Sequence, residues 1–307
     1  MDVNSRLIDS STRLPKSAVN RRVPDFIHIG PPRTATCWLN DVLSGHVGLP
    51  HNVKDTRYFT SHYSKGFDWY LSHFRDCRPD QPIGEVCSHY FAAPGVAKRI
   101  KSHMPDCKII CTLRDPVQRL YDHYKARRSI ALAADSFEES LALRPEFIEQ
   151  SSYVERLVSW QEIFGKQNVL VLLFDDLCAD AQAYVAKICG FIGIPEIDLA
   201  TVRIKHEHNV ASAPWSRRMA RAGSMAVEFL SSYRFYGIVN LWERTPLWNL
   251  CFAGGEPYGP LDPAMEAKLR DRFRPEVERL EVMLGRDLSM WKWGSAAPAA
   301  RAVSAAR

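Results

Sequence analysis

Two short stretches of this chain hold residue types that can grip an anion. In the first, Pro31-Pro-Arg-Thr-Ala-Thr-Cys-Trp38, a basic side chain and two hydroxyls follow a Gly30-Pro31-Pro32 break, just where a helical pattern begins. Phosphate or sulfate binding needs convergent backbone N–H groups, a cation and a hydroxyl or two, and a helix start offers the first of these. The second stretch is Leu113-Arg-Asp-Pro-Val-Gln-Arg-Leu-Tyr-Asp-His-Tyr124. There Arg114 ends an apolar run, Pro116 opens a helix, and Arg119, Arg127 and Arg128 follow, so Arg114 is placed to clamp a phosphate at that helix start. Each has a plainer reading. The first is an ordinary turn with Thr34 or Thr36 as helix cap, and the second is a solvated basic face with Arg114 paired to Asp115 or another carboxylate. Neither contains Gly-x-x-x-x-Gly-Lys-[Ser/Thr], which counts against a nucleotide-kinase-like phosphotransferase.

The elements around these stretches follow from periodicity. Apolar runs predict strands over 23–29, 83–87, 108–113 and 169–174. Amphipathic spacing predicts helices over 36–45, 66–75, 94–104, 117–128, 154–164, 181–192 and 262–284. Strands alternating with helices of this length make an α/β fold with a parallel, doubly wound sheet. Ligands of such sheets bind beyond the carboxyl ends of the strands, where both anion stretches fall. From 205 to 260 the period is lost and aromatics interleave with arginines; this region is read either as part of an acceptor site or as a helical lid. Residues 1–22 read as a flexible leader and 295–307 as a disordered tail, leaving one domain over 23–294.

Composition narrows the class. A net charge of +5 over 307 residues suits an anionic substrate but is too small and too dispersed for nucleic acid. Eight cysteines without a Cys-x-x-Cys pair read as reduced, mostly buried thiols. With no signal-peptide core and no apolar run long enough to span a bilayer, a cytoplasmic location is expected. His206 and His208 flank Glu207 without a third ligand in sequence, so no metal is expected.

Together and in this order, PPRTATCWL and LRDPVQRLYDHY resemble the sulfotransferase family that uses 3′-phosphoadenosine 5′-phosphosulfate (PAPS), especially its bacterial and carbohydrate-modifying branch. KDTRYF at 54–59, GFDWYLSHF, GEVCSHYF, SSYVERLVSW, FDDL and LEVMLGRDLSMW extend the similarity over about residues 24–293. The resemblance implies a three-layer, P-loop-NTPase-like fold with a central parallel sheet flanked by helices. It implies transfer of a sulfuryl group to an acceptor hydroxyl on a carbohydrate, a lipid-linked glycan or a secondary metabolite. 3′-Phosphoadenosine 5′-phosphate (PAP) is the product, and no metal is required.

By the same resemblance, Arg33 contacts the leaving phosphosulfate; Thr34, Ala35, Thr36 and Cys37 form its loop; and Trp38 stacks on adenine or serves the core. Arg114 holds the 3′-phosphate, Tyr153 lines the nucleotide site, and Lys205 approaches the 3′-phosphate. Asp55 takes the position of the catalytic base, with Glu85 and His89 in reserve; its plainer role is an ion pair with Lys54 or Arg57. Three positions depart from the family pattern. Ala35 replaces a glycine, Val86 replaces a lysine, and Asp122 replaces the serine that bonds the 3′-phosphate. Asp122 is therefore expected to turn toward Arg119, Arg127 or Arg128, or else to weaken donor binding. The departures keep open a degenerate nucleotide-binding module without turnover.

Overall fold

The computed structural model describes residues 22–204 and 212–294. The leader up to residue 21, the tail from 295, Lys205, His206 and His208 lie outside the described residues.

Four short parallel strands form the central sheet: β1 (Phe26–His28), β2 (Gly84–Val86), β3 (Lys108–Leu113) and β4 (Val169–Leu173), in the order β2-β1-β3-β4. Phe26 lies opposite Gly84 on one side and Lys108 on the other, and Ile109 faces Val169. Both strands beside β1 follow it in sequence but lie on opposite sides. Chain direction therefore diverges between β1 and β3, and their carboxyl ends open a crevice. β1 and β2 are shorter than their apolar runs, because only their middle residues reach the pairing register.

The alternation of side chains sends neighbouring strand residues to opposite faces. Phe26, Val86 and Ile110 meet α1 (Thr36–Leu43) and a later helix (Ala181–Ile192), through Leu39, Val42, Val185 and Ile188. On the other face, Ile27, Ile109, Cys111 and Leu173 meet α2 (Val96–His103) and another helix (Val154–Phe164), through Ile100, Leu157 and Trp160. We call α3 Pro116–Ser129, α4 Val154–Phe164 and α5 Ala181–Ile192. This is the expected three-layer α/β arrangement. Each fully buried aliphatic side chain contributes about 1.5–3 kcal/mol.

Several stretches differ from expectation. The 66–75 helix reduces to Phe67–Leu71 with one 3₁₀ turn on each side, because Tyr70 stacks on Tyr58 at 5.0 Å and the ring contacts set the backbone path. Short helices at Phe137–Leu143, Glu146–Glu149 and Ser289–Trp293 have too few turns to show a period. The region beyond 211 is ordered: β5 (Ser212–Pro214), α6 (Arg217–Ser232), α7 (Tyr236–Glu243), α8 (Pro246–Phe252) and β6 (Gly254–Pro257), with β5 and β6 antiparallel. The 22-residue α9 (Pro263–Leu284) follows, capped by Asp262 through the Met265 N–H at 2.9 Å. No described helix is long and apolar enough to cross a membrane.

Arg119, expected on a solvated face, is fully buried. Its guanidinium donates to Ser151 Oγ, the Phe147 carbonyl and, at 3.4 Å, the Pro32 carbonyl, tying α3 to the turn after β1. Arg119→Ala leaves these acceptors unmet around a cavity and is expected to lower stability by about 3 kcal/mol in chemical denaturation. A loss under about 1 kcal/mol would show that the guanidinium contributes little net stability.

Candidate functional site

The turn between β1 and α1 is built for close approach. Gly30 has φ +90°, and a Cβ there would meet the Ser88 carbonyl oxygen at 2.8 Å. Beneath it, His28 Nδ1 accepts from the Gly30 N–H at 3.3 Å, so Nε2 carries the proton and donates to Thr112 Oγ1 at 3.0 Å; that hydroxyl meets the Tyr184 hydroxyl at 2.5 Å. Burial, aided by the Lys54 charge, pushes His28 down to about 3 and keeps it neutral. Arg33 and Ala35 both take left-handed backbone, at φ 71° and 58°. This conformation costs a side chain with a Cβ on the order of 1 kcal/mol.

The strained turn delivers an open helix start. The first α1 amide to bond back is Leu39, to the Ala35 carbonyl at 2.9 Å. The N–H groups of Thr36, Cys37 and Trp38 therefore have no intrahelical acceptor. Ala35 at the cap position supplies no side-chain bond. α3 is the opposite case. Asp115 closes its start, accepting from the Val117 and Gln118 N–H groups at 2.9 and 3.4 Å, and Arg270 holds the same carboxylate at 3.1 Å. The expectation that Arg114 works with the α3 helix start is corrected accordingly: that start is occupied by its own residue, Asp115, and Arg114 turns to other partners.

Arg114 nonetheless joins the two stretches. Its Nη1 donates to the Arg33 carbonyl at 3.0 Å, its Nη2 lies 2.7 Å from Asp122 Oδ2, and its guanidinium covers the Phe174 ring at 4.6 Å. Asp122 also binds Lys125 Nζ at 2.5 Å. It does not turn toward Arg119, Arg127 or Arg128, because Arg119 is committed elsewhere and Lys125 lies one turn along its own helix. Desolvation opposes charge on Asp122, but Arg114, Lys125 and Arg33 outweigh it and hold the carboxyl below the usual range. Burial lowers the half-buried Arg33 guanidinium, with Asp122 opposing and Arg114 adding to the shift.

The remaining residues sort by which way they face. The Thr34 hydroxyl turns inward to the Pro31 carbonyl at 2.7 Å, while Thr36 Oγ1 receives Lys54 Nζ at 3.3 Å. Cys37 is half-buried. Trp38 belongs to the core, edge-on to Tyr184 at 6.3 Å, and not to an adenine platform. Tyr153 is also buried, and its hydroxyl donates to the Arg114 carbonyl at 2.8 Å, so it positions Arg114 and does not line the cleft. Val86 packs among Phe26, Trp38 and Leu39.

Asp55 lies 3.4 Å from Arg57 Nε and 3.8 Å from His89 Nδ1, and its side chain is 11% exposed. Burial and the cations Arg57, Lys54 and Arg127 outweigh Asp55 and keep His89 below the usual imidazole range. Glu85 is out of reach of solvent: its carboxyl accepts from the Thr56 N–H (2.5 Å) and hydroxyl (2.8 Å) and from the Tyr70 and Tyr90 hydroxyls (3.1 and 3.2 Å). These bonds make it the anchor of the turn that carries Asp55. Asp55, Cys87 and His89 place their ligand atoms within 4.8 Å of one another. Cys87 is fully buried, and desolvation raises its thiol well above the usual range, which favours the protonated form. Lys54 is the residue that sequence reasoning passed over; its only signal was its place beside Asp55.

Against this geometry, comparison with known proteins gives a consistent result. The sulfotransferase domain family matches residues 23–213. The bifunctional heparan sulfate N-deacetylase/N-sulfotransferase 1 of Caenorhabditis elegans is 27% identical over 204 residues, covering 60% of this chain and 24% of that protein. The chain thus spans about a quarter of the length of the first curated relatives it matches. The human heparan sulfate glucosamine 3-O-sulfotransferase 6 is 22% identical over 283 residues, covering 89% of this chain and 75% of that protein. A crystal structure of a sulfotransferase from Alicyclobacillus acidocaldarius shares the fold with a TM-score of 0.63 at 20% identity, covering 88% of this chain and 99% of that one.

Burial raises Glu85 to about 7, well above its unfolded value of 4.5, with Asp55 adding to the shift. The folded protein therefore holds one proton more than the unfolded chain between these values. The stabilisation present below pH 4.5 is lost as pH rises through 7, by on the order of 3 kcal/mol. Glu85→Gln removes this dependence. Denaturation midpoints of wild type and variant are expected to converge, or cross, in that direction across the window; parallel profiles would place an ionised carboxylate in the fold.

Proposed function

This chain belongs to the sulfotransferase domain family, and on that premise we propose that it moves a sulfuryl group from PAPS to an acceptor hydroxyl on a carbohydrate. The observation that carries the reading is the Arg114 bond to the Arg33 carbonyl at 3.0 Å, which brings both cationic stretches into one crevice at the carboxyl ends of β1 and β3. The uncapped α1 start suits the 5′-phosphosulfate. Arg114 and Lys125 suit the 3′-phosphate. The relatives named for heparan sulfate support a sugar hydroxyl as acceptor, with a lipid-linked glycan or a secondary metabolite as the other acceptors to screen.

In the reaction a bond forms between the acceptor oxygen and sulfur while the bond from sulfur to the 5′-phosphate oxygen breaks, releasing PAP. Asp55 takes the acceptor proton, with the Arg57 guanidinium beside its carboxylate and the neutral His89 ring next to it. Charge that grows on the leaving phosphate meets Arg33 and the amides of Thr36, Cys37 and Trp38, groups already oriented before reaction. Lys54, seated on Thr36 Oγ1, supplies at this end the cation that Val86 cannot. The shorter Asp55 side chain requires the acceptor to approach more closely than a glutamate would. No residue in this scheme calls for a metal.

Asp55→Asn is expected to lower kcat about 10²- to 10⁴-fold, with PAP affinity unchanged. If that variant still transfers labelled sulfate while His89→Ala does not, the base is His89. Asp122→Ser frees Arg114 of its internal partner and is expected to tighten PAP binding about tenfold in calorimetry, with 5′-AMP binding unchanged, in line with the ~1–3 kcal/mol of charge-assisted bonds. The same titrations test the reading itself. PAP should bind without magnesium and in preference to ATP; a preference for ATP with magnesium would replace sulfuryl by phosphoryl transfer.

A further inference from the structure

The helices after residue 215 present apolar side chains on two faces. α6 turns Ala220, Gly223 and Val227 inward against Phe252, Ala131 and Ile130. At about 100° per residue, Met225, Phe229 and Tyr233 fall on the opposite side, and they are 65%, 61% and 63% exposed. α7 adds Ile238 and Leu241 at helical spacing, and α8 adds Leu247, all more than half exposed. Nine of the fifteen large apolar residues that stand well exposed among the described residues lie between 215 and 250. Scattered exposure needs no account, but this concentration on three consecutive, mutually packed helices marks a docking surface.

The charge of the same segment selects the partner. Residues 215–252 contain five arginines, two glutamates, no lysine and no aspartate, a net +3. Arg217 is used on Asp135 and Arg234 on Ser72, while Arg218, Arg221 and Arg244 are exposed. A second copy of this chain would bring two +3 faces together. Arginines beside exposed Trp, Phe, Leu and Ile are instead the composition of helices that lie in a lipid interface, with apolar groups at the acyl boundary and cations at anionic headgroups. We propose that α6, α7 and α8 dock this protein on an anionic lipid bilayer, in the plane of the surface and without spanning it.

The bundle is braced for such a load. Midway along α6 Ser224 Oγ donates to the Ile130 carbonyl at 2.9 Å, just past α3; at its C-terminal end, Lys65 donates to the Ser232 carbonyl at 3.1 Å. The proposal stands independently of sulfuryl transfer.

The test is co-sedimentation of the full chain with vesicles of phosphatidylcholine alone or mixed with phosphatidylglycerol. Binding to the mixed vesicles is expected to be at least about tenfold tighter than to the neutral ones and to fall with added salt, because the exposed arginines meet anionic headgroups within a Debye length of the surface. The Phe229→Glu/Leu241→Glu pair should lower it about tenfold or more. Arg218→Glu/Arg221→Glu, which leaves the apolar stripe intact, should abolish the preference for the anionic lipid while melting as wild type does. Absence of binding to either vesicle, or equal binding to both, overturns the proposal. So does light scattering that shows a dimer split by Phe229→Glu/Leu241→Glu, which would assign the face to a second copy.

Discussion

The arrangement turns on one guanidinium. Arg114 is fixed on several sides: by the Arg33 carbonyl, by the Asp122 carboxylate, by the face of Phe174, and through its own carbonyl by the buried Tyr153 hydroxyl. These contacts come from the β1–α1 turn, α3, the end of β4 and the start of α4, so a displacement of any of the four elements would be felt at this residue. A flexible side chain held in this way has already lost most of its rotamer freedom before any ligand arrives. The cost is an internal anion, since Asp122 claims part of the charge that an external phosphate would use.

Support for that centre extends outward through buried charge. Asp115 closes the α3 start and is itself held by Arg270 of α9, which also donates to the Trp291 carbonyl. The C-terminal helices thus set the position of a residue adjacent to Arg114. On the other side, Glu85 anchors the Thr56 turn and so places Asp55. In both cases a buried carboxyl group decides where a candidate site residue stands.

The sequence disclosed the features that depend on neighbours along the chain. The β3, α4 and α5 boundaries agree with their periodicity to the residue, and the two anion stretches were recognisable because turn, cation and helix start are local. What stayed hidden depends on which way a residue faces. Trp38 and Tyr153 have the composition of nucleotide-lining residues, but the packing of α1 and α4 turns them inward. Glu85 and Val86 are adjacent on β2 and project to opposite layers. Lys54 reaches Thr36 from a loop without periodicity. The segment after 211 resisted reading because its helices are apolar on two sides, which erases the single stripe that a periodicity analysis looks for.

The open head of α1 would couple the binding of an anion to folding. No side chain of the chain closes that helix start, so a bound anion would be the cap. Binding free energy at that position is then also folding free energy. By mass action, the native state gains about 2.7 kcal/mol when its ligand stands at a hundred times the dissociation constant. A ligand seated there would accordingly raise the thermal midpoint of the protein as its concentration rises.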